Sequence, residues 1–132
     1  MGNPIDPHLL KPLDLAYIGD SVYETVNRTV ALRAGSRPVA VLHKECSSRA
    51  KASFQAAMIR VLSENGKLTE EEEEVFRRAR NAGVNTKPKN ATMADYHLAT
   101  GFEAVIGLLY LSGRYDRLLE IIHDGWEALG NN

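Results

Sequence analysis

The sequence predicts an all-α domain, a bundle of five to seven helices. Apolar residues recur every three or four positions along most of the chain, which is the spacing of one helix face. No segment shows the strict alternation of apolar and polar residues that a half-buried strand requires. The chain has 132 residues, 44% hydrophobic and 25% charged, a composition that excludes a disordered or fibrous protein. We therefore expect residues 1–132 to form a single domain, with its core between about residues 13 and 130.

The first half of the chain contains three predicted helices. The first runs from about Leu13 to Ala34, where Gly35 supplies a C-terminal stop. A second helix can start at Pro38, because proline is favoured in the first turn. A third helix is predicted to end near Asn65 and Gly66. Its apolar face consists of Ala50, Phe54, Ala57, Met58, Val61 and Leu62.

Capping signals mark the helices of the second half. Thr69 and Glu72 have the spacing of a capping box, and the run Glu70–Glu74 is expected to be a solvated helix start. The segment Asn81–Asn90 is the clearest loop, since it contains glycine, proline and several asparagines. Thr92 caps the next predicted helix. That helix ends at about Ser112, and a final amphipathic helix follows around Leu118–Leu129.

Cysteine content and hydropathy exclude several classes of protein. Cys46 is the only cysteine, so the chain can form neither an internal disulfide nor a cysteine zinc site, and we expect a small buried side chain there. The longest uncharged stretch, Ala104–Gly113, is far shorter than the roughly 20 residues of a membrane helix. The N-terminus lacks the apolar region of a signal peptide. We expect a cytoplasmic protein without a membrane partner.

Charge is distributed unevenly along the chain. The total is near neutral, with 16 basic and 17 acidic residues. The segment from Val75 to Ala94 nevertheless contains no acidic residue and five basic ones, Arg77, Arg78, Arg80, Lys87 and Lys89. A local basic stretch on an acidic protein is compatible with a phosphate-bearing partner. A solvated turn that only maintains solubility is the alternative interpretation.

Two carboxylates occur where helix periodicity predicts the core. Glu103 is the only formal charge between Tyr96 and Gly113, and Asp20 follows an apolar segment that ends in Gly19. Buried unpaired charge is costly, so such acids need a cation, a metal or a strong hydrogen-bond donor. The nearby glycines suggest close approach of a ligand or of another backbone. Half-exposed acids or pairing with a buried arginine are alternatives, and sequence spacing does not show that the two acids meet.

Two segments resemble the catalytic domain of ribonuclease III. Ala16–Glu24 (AYIGDSVYE) resembles its signature helix, and Phe102–Ala104 followed by Gly107 resembles its second acidic helix. Other segments resemble the Mini-III subgroup: His43-Lys44, Ser47-Ser48-Arg49, Glu70–Glu74, Arg80-Asn81-Ala82 and Thr86–Asn90. The resemblance extends from about Leu13 to Gly113. It leaves no room for an appended double-stranded-RNA-binding domain.

The resemblance implies an all-helical homodimer that cuts double-stranded RNA with Mg²⁺, or with Mn²⁺ as a substitute, and leaves 5′-phosphate and 3′-hydroxyl ends. By position, Asp20 and Glu103 match two catalytic, metal-binding acids of the family. Ala16 and Thr100 stand where two other family acids would be, as they do in Mini-III. Two carboxylates are chemically sufficient, because Mg²⁺ commonly uses one or two together with water and phosphate. The favoured substrate is the precursor of large-subunit ribosomal RNA.

The resemblance also implies RNA-binding and dimer residues. RNA contacts are expected from Arg80, Asn81, Lys87, Lys89 and Asn90 in the basic segment, and from His43, Lys44 and Arg49 on the second helix. An ordinary surface helix face explains the last three equally well. Tyr17 replaces an aromatic residue that packs across the dimer in relatives, and a core contact within one chain is the alternative. The competing functions are a non-catalytic RNA-binding or ribosome-associated protein on the same fold, and a helical protein-interaction module.

Overall fold

The structure, a computed structural model, describes residues 2–83 and 86–130. These residues form six α-helices after a short 3₁₀ helix at Pro7–Leu9, and they contain no strand, so the predicted fold class is confirmed. The α-helices are α1 Pro12–Arg33, α2 Val39–Ala50, α3 Ala52–Glu64, α4 Glu70–Asn81, α5 Met93–Leu111 and α6 Tyr115–Ala128. No helix of the described residues is long and apolar enough to cross a membrane.

The helix ends follow the local signals in the sequence. Gly35 follows α1 with a φ of 126°, a left-handed conformation that glycine adopts without steric cost. A single extended residue, Lys51 (φ −69°, ψ 145°), separates α2 from α3. Ala50, which was predicted to belong to the third helix, is the last residue of α2. That boundary was wrong because apolar spacing does not reveal a break of one residue.

Helix α4 begins with the predicted capping box. The Glu72 N–H donates to the Thr69 hydroxyl at 3.2 Å, and the Thr69 N–H donates to Glu72 Oε1 at 2.8 Å. Thr92 caps α5 in the same way, by accepting the Asp95 N–H at 3.1 Å. Both N-terminal capping predictions are confirmed, and each cap satisfies a backbone donor that the helix itself leaves unpaired.

The glutamate run at the start of α4 is not entirely solvated. Glu72 is only 1% exposed, and it accepts Arg117 Nε at 2.9 Å and Arg117 Nη2 at 2.8 Å. Burial alone would raise the pKa of Glu72, but the hydrogen bonds from Arg117 and from the Thr69 N–H hold it below its usual value. The prediction of a solvated run is therefore wrong at Glu72. This buried ion pair connects α4 to α6.

Helix α5 occupies the centre of the bundle and contacts α1, α3, α4 and α6. Most of its residues from Ala99 to Leu109 are buried, which explains why the segment is almost free of charge. Three aromatic rings from different helices meet in the core. Tyr23 lies edge-to-face against Phe102 and Trp126, with ring centroids 5.2 and 6.5 Å apart respectively.

Two glycines allow the backbones of α1 and α5 to touch. A methyl group on Gly19 would lie 1.7 Å from the carbonyl oxygen of Glu103, and one on Gly107 would lie 2.0 Å from the carbonyl oxygen of Leu15. Neither distance is possible for a real side chain, so only glycine fits at either position. The close backbone approach expected from the sequence is confirmed, and it places Asp20, next to Gly19, beside Glu103.

Candidate active site

A pocket of about 270 Å³ opens between α1, α5 and the segment that follows α4. It is lined by Leu13, Ala16, Tyr17, Asp20, Gly83, Tyr96, Thr100 and Glu103. Asp20 and Glu103 meet here, and their carboxyl groups share a hydrogen bond. The structure thus places next to each other the two acids that stood out in the sequence. Sequence spacing alone did not show that they meet.

The two acids differ in environment. Asp20 lies on the exposed side of α1, so the expectation that it points into the core is wrong, whereas Glu103 is half-buried on α5. Burial, together with the hydrogen bond and the negative charge of Asp20, raises the pKa of Glu103 to about 9. In the metal-free protein at neutral pH, the Glu103 carboxyl group therefore keeps its proton.

This arrangement fits a divalent cation. Mg²⁺ prefers carboxylate oxygens, and a cation bound between Asp20 and Glu103 would take the place of the shared proton. Ala16 and Thr100 line the same pocket without supplying a carboxylate. The Thr100 hydroxyl instead donates to the carbonyl oxygen of Tyr96 at 2.9 Å. Among the residues that line the pocket, the acids are thus Asp20 and Glu103.

The described part of the basic segment extends from this pocket along the surface. Gly83 lines the acid pocket, and Arg80 and Asn81 line a neighbouring groove of about 510 Å³ with Ala94, His97 and Leu98. The Arg80 guanidinium lies 5.3 Å from the centre of the Phe76 ring, which orients it. Further along, Lys87, Lys89 and Asn90 are exposed. Residues 84 and 85 lie outside the described residues.

The three candidates on α2 divide into two groups. His43 and Lys44 are exposed, as an RNA-contacting surface requires. Arg49 is only 9% exposed: its Nε donates to Asn27 Oδ1 at 2.8 Å, and its guanidinium lies 4.3 Å from the centre of the Trp126 ring. The prediction that Arg49 contributes to an RNA-binding surface is therefore wrong. Arg49 lies one turn after Cys46, which is buried as expected, so the two residues share the inner face of α2.

Tyr17 is 84% exposed although its ring borders the acid pocket. The alternative of a core contact within one chain is thus wrong. More apolar surface lies nearby on α1 and at the end of α5, in a groove lined by Ile18, Ser21, Val22, Thr25, Val26 and Tyr110. An exposed aromatic residue beside an apolar groove is typical of a surface that another protein covers.

Two residues of the pocket were not anticipated from the sequence. Tyr96 precedes Thr100 by four positions and Glu103 by seven, so the three share one face of α5, and helix periodicity applied from Glu103 would have identified Tyr96. Gly83 had no comparable signal. It reaches the pocket only because the chain turns back toward α5 after α4.

Comparisons with known proteins show the family to which the chain belongs. A family model described as "Ribonuclease III domain" matches residues 13–114, a range that includes both acids. The chain belongs to the ribonuclease III family. Within it, a Mini-ribonuclease 3 from Symbiobacterium thermophilum is 43% identical over 117 residues, which cover 89% of this chain and 88% of the relative. A Mini-ribonuclease 3 from Streptococcus pneumoniae is 37% identical over 118 residues, with 89% and 92% covered.

A solved structure of another protein has the same architecture. The crystal structure of a protein from Fusobacterium nucleatum superposes with a TM-score of 0.79 at 29% identity, covering 87% of this chain and 90% of that chain. These matches confirm the ribonuclease III fold, the Mini-III resemblance and the predicted class of enzyme, an endoribonuclease. Membership in the ribonuclease III family also supports double-stranded RNA as the class of substrate. The non-catalytic alternatives lose support accordingly.

Proposed function

We propose that this member of the ribonuclease III family is a single-domain, metal-dependent enzyme that cleaves double-stranded RNA. Its proposed catalytic residues are Asp20 and Glu103. The observation that carries the proposal is the pair of hydrogen-bonded carboxyl groups in one pocket, with a pKa of about 9 for Glu103. Glu103, which keeps its proton at neutral pH, can exchange that proton for a cation bound together with Asp20. Both belong to the residues that match the family model.

The roles of the chain's own residues follow from this geometry. Asp20 and Glu103 would hold Mg²⁺, or Mn²⁺ in its place, and Glu103 gives up its proton when the cation binds. Such a cation, when bound, would supply a water of lowered pKa and would polarise the scissile phosphate. Hydrolysis of the bond between phosphorus and the 3′-oxygen would leave a 5′-phosphate on one product and a 3′-hydroxyl on the other. Tyr96 and Thr100, which line the wall on the α5 side, shape the space that the phosphate enters.

The proposed substrate is duplex RNA from the precursor of large-subunit ribosomal RNA, cleaved in the cytoplasm. An A-form duplex is recognised mainly through its shape, its phosphates and its 2′-hydroxyls. The exposed cations and amides of the basic segment and of α2 suit such contacts, because phosphate contacts position a duplex without reading its sequence. Lys87, Lys89 and Asn90 are exposed in this segment, and His43 and Lys44 are exposed on α2.

Incubation with long double-stranded RNA tests the function. We expect cleavage in Mg²⁺ and none in EDTA, with single-stranded RNA and duplex DNA of the same sequence as controls. Sequencing of the product ends in a ribosomal RNA precursor checks the substrate. Binding of double-stranded RNA without cleavage in Mg²⁺ would favour the non-catalytic RNA-binding protein, and absence of binding at low salt would favour a protein-interaction module.

The basic segment provides a separate prediction about RNA affinity. Replacing Arg80, Lys87 and Lys89 together with alanine should weaken duplex binding. The slope of the logarithm of the association constant against the logarithm of the salt concentration should also become less steep by roughly 2 to 3, because each phosphate contact contributes just under 1 to that slope. Binding is measured in EDTA, so that cleavage does not interfere. The matched control replaces Lys11, Arg33 and Lys67, exposed cations that form no ion pair among the described residues. Equal salt slopes for the two triple variants would contradict the assignment.

The exposed Tyr17 supports a two-fold homodimer, which we propose as the working state of the enzyme. A closed dimer with two-fold symmetry would cover Tyr17 and the apolar groove at once. Tyr17→Glu should therefore shift the protein to monomer in light scattering at micromolar concentration, because it places a charge in the apolar contact. Tyr17→Phe, which keeps the ring, should remain dimeric. A wild-type protein that is monomeric under these conditions would exclude this arrangement.

A further inference from the structure

We propose that His97 is a positioning residue, whose imidazole fixes the basic segment at Gly83, just after α4, relative to the acid pocket. The inference rests on the proposed function, since it concerns how the RNA-contacting segment is placed with respect to Asp20 and Glu103. Neither residue belongs to the acids or to the cations discussed so far. Gly83 follows the end of α4, and His97 lies in the second turn of α5.

The contact between the two residues is unusually close. A methyl group on Gly83 would lie 2.4 Å from Cδ2 and 2.7 Å from Nε2 of His97, so the ring occupies the space that a side chain would need. Gly83 is not one of the glycines with positive φ, and its backbone conformation would accept any residue. The imidazole of His97, rather than the backbone conformation, therefore limits the space at this position, and a larger residue would displace either the ring or the segment.

His97 also lies between the two cavities of the site. Its neighbour Tyr96 and its contact Gly83 line the acid pocket, whereas His97 itself lines the groove that contains Arg80 and Asn81. His97 belongs to α5, the helix that also carries Glu103. The ring therefore holds the basic segment against the same helix that supplies a catalytic acid. We infer that this contact sets the distance along the RNA between the bound phosphates and the phosphate that is cut.

The experiment compares Gly83→Ala, His97→Ala and the double variants Gly83→Ala/His97→Ala and Gly83→Ala/His97→Phe on long double-stranded RNA. In Gly83→Ala the added methyl and the imidazole cannot both keep their positions, so we expect KM to rise about tenfold while kcat stays within about twofold, because the acids on α1 and α5 do not move. Gly83→Ala/His97→Ala should return to the KM of His97→Ala within about twofold, since the space is vacated. The His97→Phe double variant keeps a ring there and should not recover.

Two further measurements separate positioning from folding. Circular dichroism should show unchanged helix content in all variants, since neither residue is in the buried core. Mapping of the product ends should show displaced or heterogeneous cleavage in Gly83→Ala and in His97→Ala. The single His97→Ala variant removes the constraint without adding bulk. It therefore tests the proposal even if Gly83→Ala folds poorly.

The outcomes distinguish this inference from the proposed function. If the wild-type protein does not cleave double-stranded RNA in Mg²⁺, the proposed function fails. If it does cleave and Gly83→Ala has the wild-type KM and product ends, only the positioning role of His97 is refuted. A Gly83→Ala/His97→Ala variant with a KM well above that of His97→Ala would also refute it. That result would mean that the methyl group at position 83 disturbs RNA binding by itself and not through the imidazole.

Discussion

Asp20→Asn and Glu103→Gln are each expected to abolish cleavage of double-stranded RNA, with a loss of about a thousandfold or more in kcat. Each amide nearly preserves the shape of the side chain but removes the negative charge that a divalent cation requires. The double variant should be little worse than either single variant, because the two acids act as one unit. Single-turnover cleavage in Mg²⁺ measures the loss.

The matched control for this prediction is Thr100→Ser, a change in the wall of the same pocket that leaves both carboxylates and the hydroxyl donor in place. It should retain most of the wild-type rate. Duplex binding in EDTA should persist in Asp20→Asn and Glu103→Gln, since the proposed backbone contacts come from the basic segment. Wild-type cleavage by Asp20→Asn would show that the metal site is assigned wrongly.

The same variants change how the metal-free protein responds to pH. The pKa of Glu103 is about 9 in the folded protein against an ordinary value of 4.5, so the folded state retains a proton that the unfolded chain loses across this interval. The stability of the wild-type protein in EDTA should therefore fall as pH rises from about 5 to 9. Glu103→Gln removes this dependence and should be the more stable protein at pH 9 and similar at pH 5. Thermal melts at both pH values check the sign.

Arg117→Ala is expected to cause the largest loss of stability, about 3–5 kcal/mol, because it leaves the carboxylate of Glu72 buried without its cation. Glu72→Gln should cost less, since glutamine preserves the capping box and the Arg117 side chain, 26% exposed, can turn to water. Adding Glu72→Gln to Arg117→Ala should recover part of the loss. Urea unfolding at neutral pH measures all three.

The control for the ion pair is Arg114→Ala, which breaks an exposed pair with Glu71 and should cost less than about 1 kcal/mol. Acid provides a second check. The pKa of Glu72 is held below its usual value, so its contribution to stability is lost as pH falls. The difference between wild type and Arg117→Ala should therefore shrink toward low pH. A loss in Arg117→Ala no larger than that in Arg114→Ala would contradict the importance of the buried pair.

The helices and their caps could be predicted because their signals are local. Thr69, Thr92 and Gly35 each act within one turn of the residues that they cap or terminate. Pairings between distant helices could not be predicted. The glutamate run gave no sign that Glu72 would pair with Arg117, and nothing near Arg49 indicated that it would lie on Trp126. Such contacts depend on how whole helices pack, and one-dimensional periodicity does not contain that information.

In the candidate site, too, local features could be predicted from the sequence, whereas contacts between distant residues could not. Asp20 and Glu103 were conspicuous as acids in apolar helices, yet their meeting was implied only by the resemblance to a known family. Gly19 and Gly107 did carry a usable signal, since glycine inside a helix is unfavourable unless a close contact requires it. Gly83 and His97 were missed because their contact joins a loop to a helix. No regular spacing marks a contact of that kind.

The backbone contact at Gly19 and Gly107 has a consequence for how the site meets its cation. Two like-charged groups would ordinarily move apart, but the helices that carry them are already touching and have no compliant side chains between them. The acids respond by retaining a proton, which leaves the scaffold in its binding geometry before any ion arrives. If the pair binds Mg²⁺ as proposed, the reorganisation energy of cation binding would be confined to proton release and desolvation. Folding would already have brought the two carboxyl groups together.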